Sequence, residues 1–273
     1  MIQHGTRIVS IANQKGGVGK TTTVMNLGAA LADLQKKTLV VDLDPQGALS
    51  VGLGIDGSSL EETIYNALMD PDFPVSRVIY PIKDYLDLIP SSIELASAEM
   101  ELIAELRREY TLRRMLDPIR DCYDFILIDC PPSLGLLTIN ALCTSQEVLI
   151  PMQCEYLAMR GIRLLLDAIE WVKARTNRDL ELGGILVTMY ATGTIHSREV
   201  LEEIRAVFGD KVFDEVIYKS IRFAEASVAS QAIVEYAGTH KGAQAYRMVA
   251  KAIVDRNRAG QRAWEARAYA THA

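Results

Sequence analysis

Short apolar runs alternate along the chain with longer segments in which apolar residues recur every three or four positions. The runs of strand length lie at 8–11, 38–43, 86–90, 123–129, 148–152, 183–189 and 212–217. Helical spacing follows several of them, as in Val24, Leu27, Leu31 and Leu34 and in the stretch 161–175. Continuous apolar runs are typical of strands that are buried on both faces. The alternation predicts an α/β fold, with a mostly parallel sheet and helices on both faces.

Several segments between these strands predict further helices. A short helix is indicated over 60–69, and three prolines between positions 71 and 81 then interrupt regular structure. Ser91 followed three residues later by Glu94 forms a capping box, which predicts one long amphipathic helix to about Tyr110. Two more helices are predicted over 197–208 and 242–257.

Length and composition favour one domain. The chain has 273 residues, of which 49% are hydrophobic and 23% are charged, so it can bury a full core. We expect a single domain over 1–273, with a core at about 7–255 and a C-terminal tail at 256–273 that has no assigned role. The formal net charge of −6 argues against a surface coated in basic residues, although a local basic patch remains compatible with it.

The cysteines and the apolar runs bear on cellular location. The four cysteines show no C-x-x-C spacing, and we expect them to be reduced and to form no metal site. No run approaches the roughly 18 apolar residues of a membrane-spanning helix. The first six residues are also too few for a signal peptide. We therefore expect a cytoplasmic protein that does not bind membranes.

A glycine-rich segment joins the first predicted strand to the first predicted helix. Gly16, Gly17 and Gly19 lack a Cβ atom, so the backbone can turn sharply and direct several N–H groups into one concavity. The helix that follows adds the positive end of its dipole. Lys20 would reach the β- and γ-phosphates of a nucleotide, and the hydroxyl of Thr21 would bind Mg²⁺. The segment predicts a phosphate-binding loop.

Carboxylates stand at the ends of two other predicted strands. Asp42 and Asp44 follow the run that starts at residue 38, and Pro45 suggests that Asp44 has already left the strand. Asp129 ends the run at 123–129 and precedes a loop stiffened by two prolines. An acid at the carboxyl end of a strand beside a phosphate-binding loop can hold a Mg²⁺-bound water. These aspartates predict a metal and water site.

The phosphate-binding loop departs from the plain pattern, because Gln14 occupies the first glycine position and a second lysine, Lys15, stands inside the loop. Lys-Gly-Gly-Val-Gly-Lys-Thr-Thr at 15–22 resembles the deviant P-loop (deviant Walker A) of the ParA/MinD family of ATPases. The resemblance implies a P-loop NTPase fold, slow ATP hydrolysis with Mg²⁺, and a homodimer that forms with ATP. In that dimer Lys15 would contact the partner's nucleotide.

Two more segments carry the resemblance. Val-Asp-Leu-Asp-Pro-Gln-Gly at 41–47 and Ile-Leu-Ile-Asp-Cys-Pro-Pro-Ser at 126–133 look like the family's water-positioning and switch regions. The implied catalytic residues are Lys15, Lys20 and Asp44, with Thr21, Asp42 and Asp129 at the metal. The implied nucleotide-binding residues are Lys15, Gly16, Gly17, Val18, Gly19, Lys20, Thr21, Thr22, Asp129, Met189 and Tyr218.

The C-terminal part of the chain is the candidate surface for a polyanion. From residue 198 onward there are 12 lysines and arginines against 10 acidic residues, whereas the first 197 residues carry a net charge of −8. Basic side chains bind DNA phosphates without reading sequence. The segments 197–200 and 217–227 resemble those through which ParA dimers hold DNA, although Tyr218 and Ser227 replace the usual prolines. The predicted DNA-binding residues are Arg198, Lys219, Arg222, Arg247 and Lys251.

Three function classes follow from these observations. The first is an ATP-dependent switch that binds nonspecific double-stranded DNA on the nucleoid and partitions a chromosome, a plasmid or another cargo. A ParB-like partner or an adaptor protein would stimulate its hydrolysis. The second is a MinD-like membrane-cycling ATPase, which the sparse apolar face of the tail disfavours. The third is a metabolic or metal-cluster-loading P-loop enzyme, for which a paired cysteine motif is missing.

Overall fold

The computed structural model describes residues 5–155, 158–192 and 195–271, with side chains described except at 158–160, 195 and 258–271. Within these ranges the strands form one eight-stranded sheet in the order β3-β4-β2-β5-β1-β6-β7-β8. The strands are Arg7–Ile11 (β1), Thr38–Asp42 (β2), Tyr80–Lys83 (β3), Leu86–Ile89 (β4), Phe125–Asp129 (β5), Glu147–Gln153 (β6), Glu181–Tyr190 (β7) and Val212–Tyr218 (β8). All neighbours pair in parallel except β3 and β4. The predicted mostly parallel sheet is confirmed.

The described α-helices cover both faces of this sheet. They are Lys20–Asp33 (α1), Ala48–Gly52 (α2), Ile64–Met69 (α3), Leu95–Leu102 (α4), Thr111–Leu116 (α5), Leu136–Thr144 (α6), Ala158–Arg175 (α7), Ile195–Phe208 (α8), Arg222–Val228 (α9), Ile233–Tyr236 (α10) and Lys241–Thr271 (α11). One core layer holds apolar residues of α1, α2, α10 and α11, and the other holds those of α3 to α8. Within the described ranges, no helix is both long enough and apolar enough to cross a bilayer.

The central strand β1 places the glycine-rich segment. It pairs with β5 through Ile11 and Asp129 and with β6 through Ile11 and Leu149. On the far side of β5, Asp42 at the end of β2 stands in register with Asp129. Because parallel strands end at one edge, the glycine-rich segment and both aspartates meet at the carboxyl edge of the sheet. Helix α1 packs tightly on the sheet, because a Cβ at Gly28 would lie 2.8 Å from Val40 Cγ1.

Several predicted elements differ from the structure. The long helix over 91–110 is wrong, because α4 ends at Leu102 and Arg107 adopts a left-handed conformation with φ of 58°. The capping box occurs instead at Thr63 and Asn66, where α3 begins. Strand β3 forms despite Pro81, since it is an edge strand paired only with β4. The short helices α9 and α10 have no counterpart in the prediction, and the predicted final helix continues past residue 257 to Thr271.

Candidate nucleotide site and basic surface

The glycine-rich segment forms a tight turn that opens α1. Gly17 and Gly19 have φ of 70° and 89°, a left-handed conformation that favours glycine. Helix α1 starts directly at Lys20, so its free N–H groups face the concavity of the turn. No atom lies within 4 Å of a Cβ built on Gly16, so crowding does not explain glycine there. The geometry is that of an anion-binding helix N-terminus.

Three side chains that the sequence did not single out hold this turn against the sheet. Asn13 donates to Pro151 O at 2.7 Å and accepts from the amide of Lys15 at 3.0 Å. Gln153 donates to Gly17 O at 3.1 Å, and Thr188 donates to Val18 O at 2.7 Å. Because β6 and β7 supply the partner of Asn13 and the side chains of Gln153 and Thr188, the shape of the turn depends on residues far away in sequence.

The two lysines of the turn occupy different environments. Lys20 is buried, with 6% of its surface exposed, and its Nζ reaches only Lys15 O at 3.5 Å. Burial lowers the pKa of Lys20, while the charge of Asp129 acts in the opposite direction. The Nζ of Lys15 instead lies at the surface, 2.6 Å from Glu155 Oε2 and 3.0 Å from Gln153 Oε1. Lys20 is thus directed inward, and Lys15 is paired with its own chain.

Asp42 is fully buried at the end of β2 and is held by Ser50. The hydroxyl and the amide of Ser50 both donate to Asp42 Oδ2, at 2.6 and 2.8 Å. Burial raises the pKa of Asp42 to about 6, against the lowering effect of these hydrogen bonds. A buried carboxyl beside a second carboxyl is disfavoured in its charged form unless a cation compensates it.

Asp129 has the environment that best fits a bound cation. It is fully buried, and neither of its carboxylate oxygens has a hydrogen-bond partner of normal geometry among the described residues. Burial raises its pKa well above the ordinary value, the charge of Asp42 adds to this rise, and nearby Thr21 and Lys20 oppose it. An orphaned buried carboxylate beside Asp42 and Thr21 supplies the hard oxygen ligands that Mg²⁺ prefers. These residues fit a magnesium ion.

Asp44 lies outside β2, as predicted, and is half-buried. Its Oδ1 accepts from the amide of Gln46 at 3.0 Å, and its carbonyl accepts from the amide of Gly47 at 2.9 Å. Asp44 therefore stabilises the turn before α2. Its amide also donates to Asp42 Oδ1 at 3.2 Å, which places Asp44 beside the predicted metal ligands.

A cavity of about 320 Å³ lies against the outer side of this turn. Gly19 and Thr22 line one side, and Met189, Tyr218 and Ser220 line another. Met189 has a φ of 50°, and the ring of Tyr218 packs edge-on against Tyr190, with centroids 5.8 Å apart. The structure thus brings two of the predicted nucleotide-binding residues, Met189 and Tyr218, to one cavity beside the phosphate-binding turn.

The predicted DNA-binding residues do not form one patch. Arg198 lies near the start of α8, after the carboxyl end of β7, and is exposed. Lys219, on the connection after β8, and Arg222, the first residue of α9, are both exposed. The guanidinium of Arg222 forms an ion pair with Glu225 at 2.8 Å. These three residues share the carboxyl end of the sheet.

The other two predicted residues occupy different settings. Arg247 donates to Gly238 O at 2.6 Å and to Val234 O at 2.8 Å, and its Nε lies 3.6 Å from Asp33. Its guanidinium is thus already bound to the protein. Lys251 lines a separate cavity with residues at the amino end of β8, such as Val212. Neither Lys219 nor Arg222 lines this cavity, whose other residues include Asp214, Glu215 and Asp255.

Comparison with known proteins identifies the family. A family model described as an AAA domain matches residues 6–182. The sporulation initiation inhibitor protein Soj of Bacillus subtilis (strain 168) is 44% identical over 247 residues, which cover 90% of this chain and 98% of Soj. The chromosome partitioning protein ParA of Myxococcus xanthus (strain DK1622) is 42% identical and covers 92% of this chain, with 89% of that protein matched. The chain belongs to the ParA/MinD family of P-loop ATPases.

A solved structure extends the likeness to the fold. A protein from Mycobacterium smegmatis, described as cobyrinic acid a,c-diamide synthase with bound ADP and magnesium, matches at a TM-score of 0.83 and 39% identity, over 93% of this chain and 96% of that one. The predicted P-loop NTPase fold is confirmed. The predicted ATPase activity and its cofactors, ATP and Mg²⁺, are confirmed with it.

Proposed function

We propose that this ATPase is a DNA-positioning switch of the ParA/Soj type. It binds ATP and Mg²⁺, forms a homodimer, holds duplex DNA without sequence preference and releases it after hydrolysis. A ParB-like partner or a cargo adaptor stimulates hydrolysis on the nucleoid. The similarity to Soj and ParA supports partition of a chromosome or plasmid, and the observation that carries the DNA step is the position of Lys219 and Arg222 beside the nucleotide cavity.

Residues of the carboxyl edge divide the hydrolytic work. The amides of the glycine-rich turn, with Lys20, bind the phosphates, and Thr21, Asp42 and Asp129 hold Mg²⁺. Bound Mg²⁺ neutralises charge on the phosphate oxygens. Asp44 orients the attacking water, because it lies at the carboxyl edge beside Asp42, at the start of a turn that can follow the γ-phosphate. The base occupies the cavity lined by Met189 and Tyr218.

Dimerisation requires a rearrangement at Lys15. Its Nζ is paired with Glu155 and Gln153, so it must leave both before it can contact a nucleotide on the partner. A γ-phosphate supplies the charge that offsets the lost ion pair, whereas ADP supplies less. The triphosphate therefore has the differential affinity for the dimer that a nucleotide switch requires.

Light scattering and DNA binding with ATP, with ADP and without nucleotide test this proposal. We expect dimers and DNA binding with ATP, and neither of them with ADP or without nucleotide. Lys15→Gln should still bind nucleotide and fail to dimerise, while Lys37→Gln, which removes an exposed lysine from the opposite edge of the sheet, should behave as the wild type. Equal dimerisation in all three nucleotide states would contradict the switch.

A second candidate function is ATP-dependent amide formation, which the name of the M. smegmatis protein implies for that protein. Its 39% identity to this chain is the observation in favour. The 44% identity to Soj over nearly the whole of Soj favours the DNA switch. Glutamine- or ammonia-dependent ADP release with a tetrapyrrole carboxylate, in the absence of ATP-dependent DNA binding, would support the amidation alternative.

A further inference from the structure

The loop Tyr218–Arg222 has two functional faces. Tyr218, Lys219 and Ser220 line the cavity beside the phosphate-binding turn, and Lys219 and Arg222 are also exposed to solvent. A nucleotide base in the cavity and DNA phosphates outside would therefore contact the same short loop, in which Lys219 both lines the cavity and is exposed to solvent. The side chains that hold this loop in place therefore determine how binding of a nucleotide on one face affects binding of DNA on the other.

His240 connects the loop to the start of α11. The residue lies immediately before α11, where its Nδ1 accepts from the amide of Gly242 at 3.0 Å. Because Nδ1 is an acceptor, the proton of the neutral ring is assigned to Nε2, which lies 3.2 Å from Ser220 Oγ and donates to it. Ser220 Oγ in turn accepts from the amide of Arg222 at 3.2 Å. One imidazole thus connects the start of α11 to the backbone of Arg222.

Aromatic packing connects the same histidine to the nucleotide side. The ring of Phe223 packs edge-on against His240 and against Tyr246, with centroids 6.1 and 6.2 Å away. The hydroxyl of Tyr246 lies 3.2 Å from Thr23 Oγ1 in the first turn of α1. Gly242 makes room for this cluster, since a Cβ there would lie 2.6 Å from the Phe223 ring. Edge-on aromatic pairs have preferred geometries, so they resist displacement.

We propose that His240 is a positioning residue through which a base bound in the cavity orders Lys219 and Arg222 for DNA. The inference rests on the proposed function and concerns how the loop is regulated. The phosphates bind at the glycine-rich turn, which the loop does not form, whereas the base lies against Tyr218 and Ser220. Ordering of the loop therefore requires the base itself, and it precedes dimerisation.

Backbone hydrogen exchange over residues 218–224 tests the inference without DNA and without a dimer. We expect Mg-ADP to slow exchange there several-fold in the wild type and Mg-pyrophosphate to leave it unchanged, because only ADP places a base in the cavity. Equal slowing by pyrophosphate, or no slowing by ADP at saturation, would overturn the inference. A wild-type ATP dimer that fails to bind DNA would instead contradict the proposed function and leave this result intact.

Two substitutions of His240 separate its two hydrogen bonds. His240→Asn can keep the cap on Gly242 and is too short to reach Ser220, whereas His240→Gln can still donate to Ser220. We expect the asparagine variant to lose the ADP-induced slowing and to bind DNA several-fold more weakly as an ATP dimer. The glutamine variant should retain both properties. Gln244→Ala, in the first turn of α11, is the matched control, since the side chain of Gln244 donates to Thr239 O and, among the described residues, makes no hydrogen bond to the loop.

Ser220→Ala completes the design as a double-mutant cycle. If His240 acts through Ser220, combining Ser220→Ala with His240→Asn should weaken DNA binding no further than either change alone. If the fold-losses in DNA affinity of the two single variants instead multiply in the double variant, His240 does not act through Ser220. Wild-type exchange and wild-type DNA affinity in His240→Asn would overturn the role of His240 itself.

Discussion

Three charged residues of the nucleotide site are buried, whereas the basic residues next to it, Lys219 and Arg222, are exposed. Lys20, Asp42 and Asp129 are buried, with exposed fractions of 6%, 0% and 0%. Lys219 and Arg222 are exposed, and Arg222 already has a carboxylate partner in Glu225. Buried charges without full compensation favour a ligand strongly and only in one geometry. Exposed charges gain little per contact, so their effect depends on how many phosphates they meet together.

The largest expected effect is the loss of Asp44 from the buried edge. Asp44→Ala should lower ATP turnover about 100-fold or more, because positioning of water and charge dominates phosphoryl transfer. Binding of a fluorescent ATP analogue should persist, because the glycine-rich turn is unchanged. Single-turnover assays measure both quantities.

Asp44→Asn separates catalysis from the structural role of the same residue. Asparagine can still accept from the amide of Gln46 and so preserves the turn. We expect turnover to remain at least about tenfold below wild type, since the negative charge is gone. A wild-type rate for Asp44→Asn would instead assign Asp44 to stabilisation of the turn.

The second effect concerns the exposed surface. Arg222→Glu should reduce DNA affinity of the ATP dimer by well over tenfold at low salt, because each protomer loses a cation and gains an anion. ATP-driven dimerisation should be unchanged. Arg178→Glu, an exposed charge reversal at the amino end of β7, is the matched control. Fluorescence anisotropy over a salt series would show whether the slope becomes shallower, and normal DNA binding by Arg222→Glu would remove this loop from the interface.

A substitution of Arg247 tests whether this residue stabilises the fold or binds DNA. Its guanidinium binds two backbone carbonyls, so Arg247→Ala should lower the free energy of unfolding by about 2 kcal/mol. The salt slope of DNA binding should stay at its wild-type value. Urea unfolding and the salt series measure the two properties, and a shallower slope with unchanged stability would return Arg247 to the DNA surface.

The smallest expected effect is a gain. Glu225→Gln removes the carboxylate that competes with DNA phosphates for Arg222, so DNA affinity should rise a few-fold at low salt and converge with wild type at high salt. Glu199→Gln, on exposed α8, is a charge-matched control. Unchanged affinity in Glu225→Gln would indicate that the ion pair costs Arg222 nothing in DNA binding.

The same contrast explains which features the sequence could predict. The glycine-rich turn, Asp42 and Asp129 were predictable, because each role follows from a few adjacent residues after a strand. Asn13, Gln153 and Thr188 were not, since they act through β6 and β7 on a turn more than 100 residues away in the case of Gln153. The engagement of Arg247 was hidden for the same reason, because Val234 and Gly238 reach it only through the packing of α10 and α11.

The wrong prediction of one helix over 91–110 has a cause in tertiary packing. The apolar and charged pattern of 91–110 is helical throughout, yet Arg107 adopts a left-handed conformation and the chain turns into a short 3₁₀ segment before α5. Tertiary packing of α4 and α5 against α6 overrides a helical propensity that is a weak prior by itself. The stretch contains no glycine or proline that would predict the end of the helix.

The contact between Tyr246 and Thr23 also bears on synthesis of the protein. These residues are 223 positions apart, and β1 finds its strand partners only at 125–129 and 147–149. A ribosome therefore releases the glycine-rich turn while these neighbours are still untranslated. Long-range pairing of this kind slows folding and leaves apolar segments open to aggregation. The motif is translated well before its last neighbour, Tyr246, so nascent chains that stop before α11 should depend most heavily on chaperones.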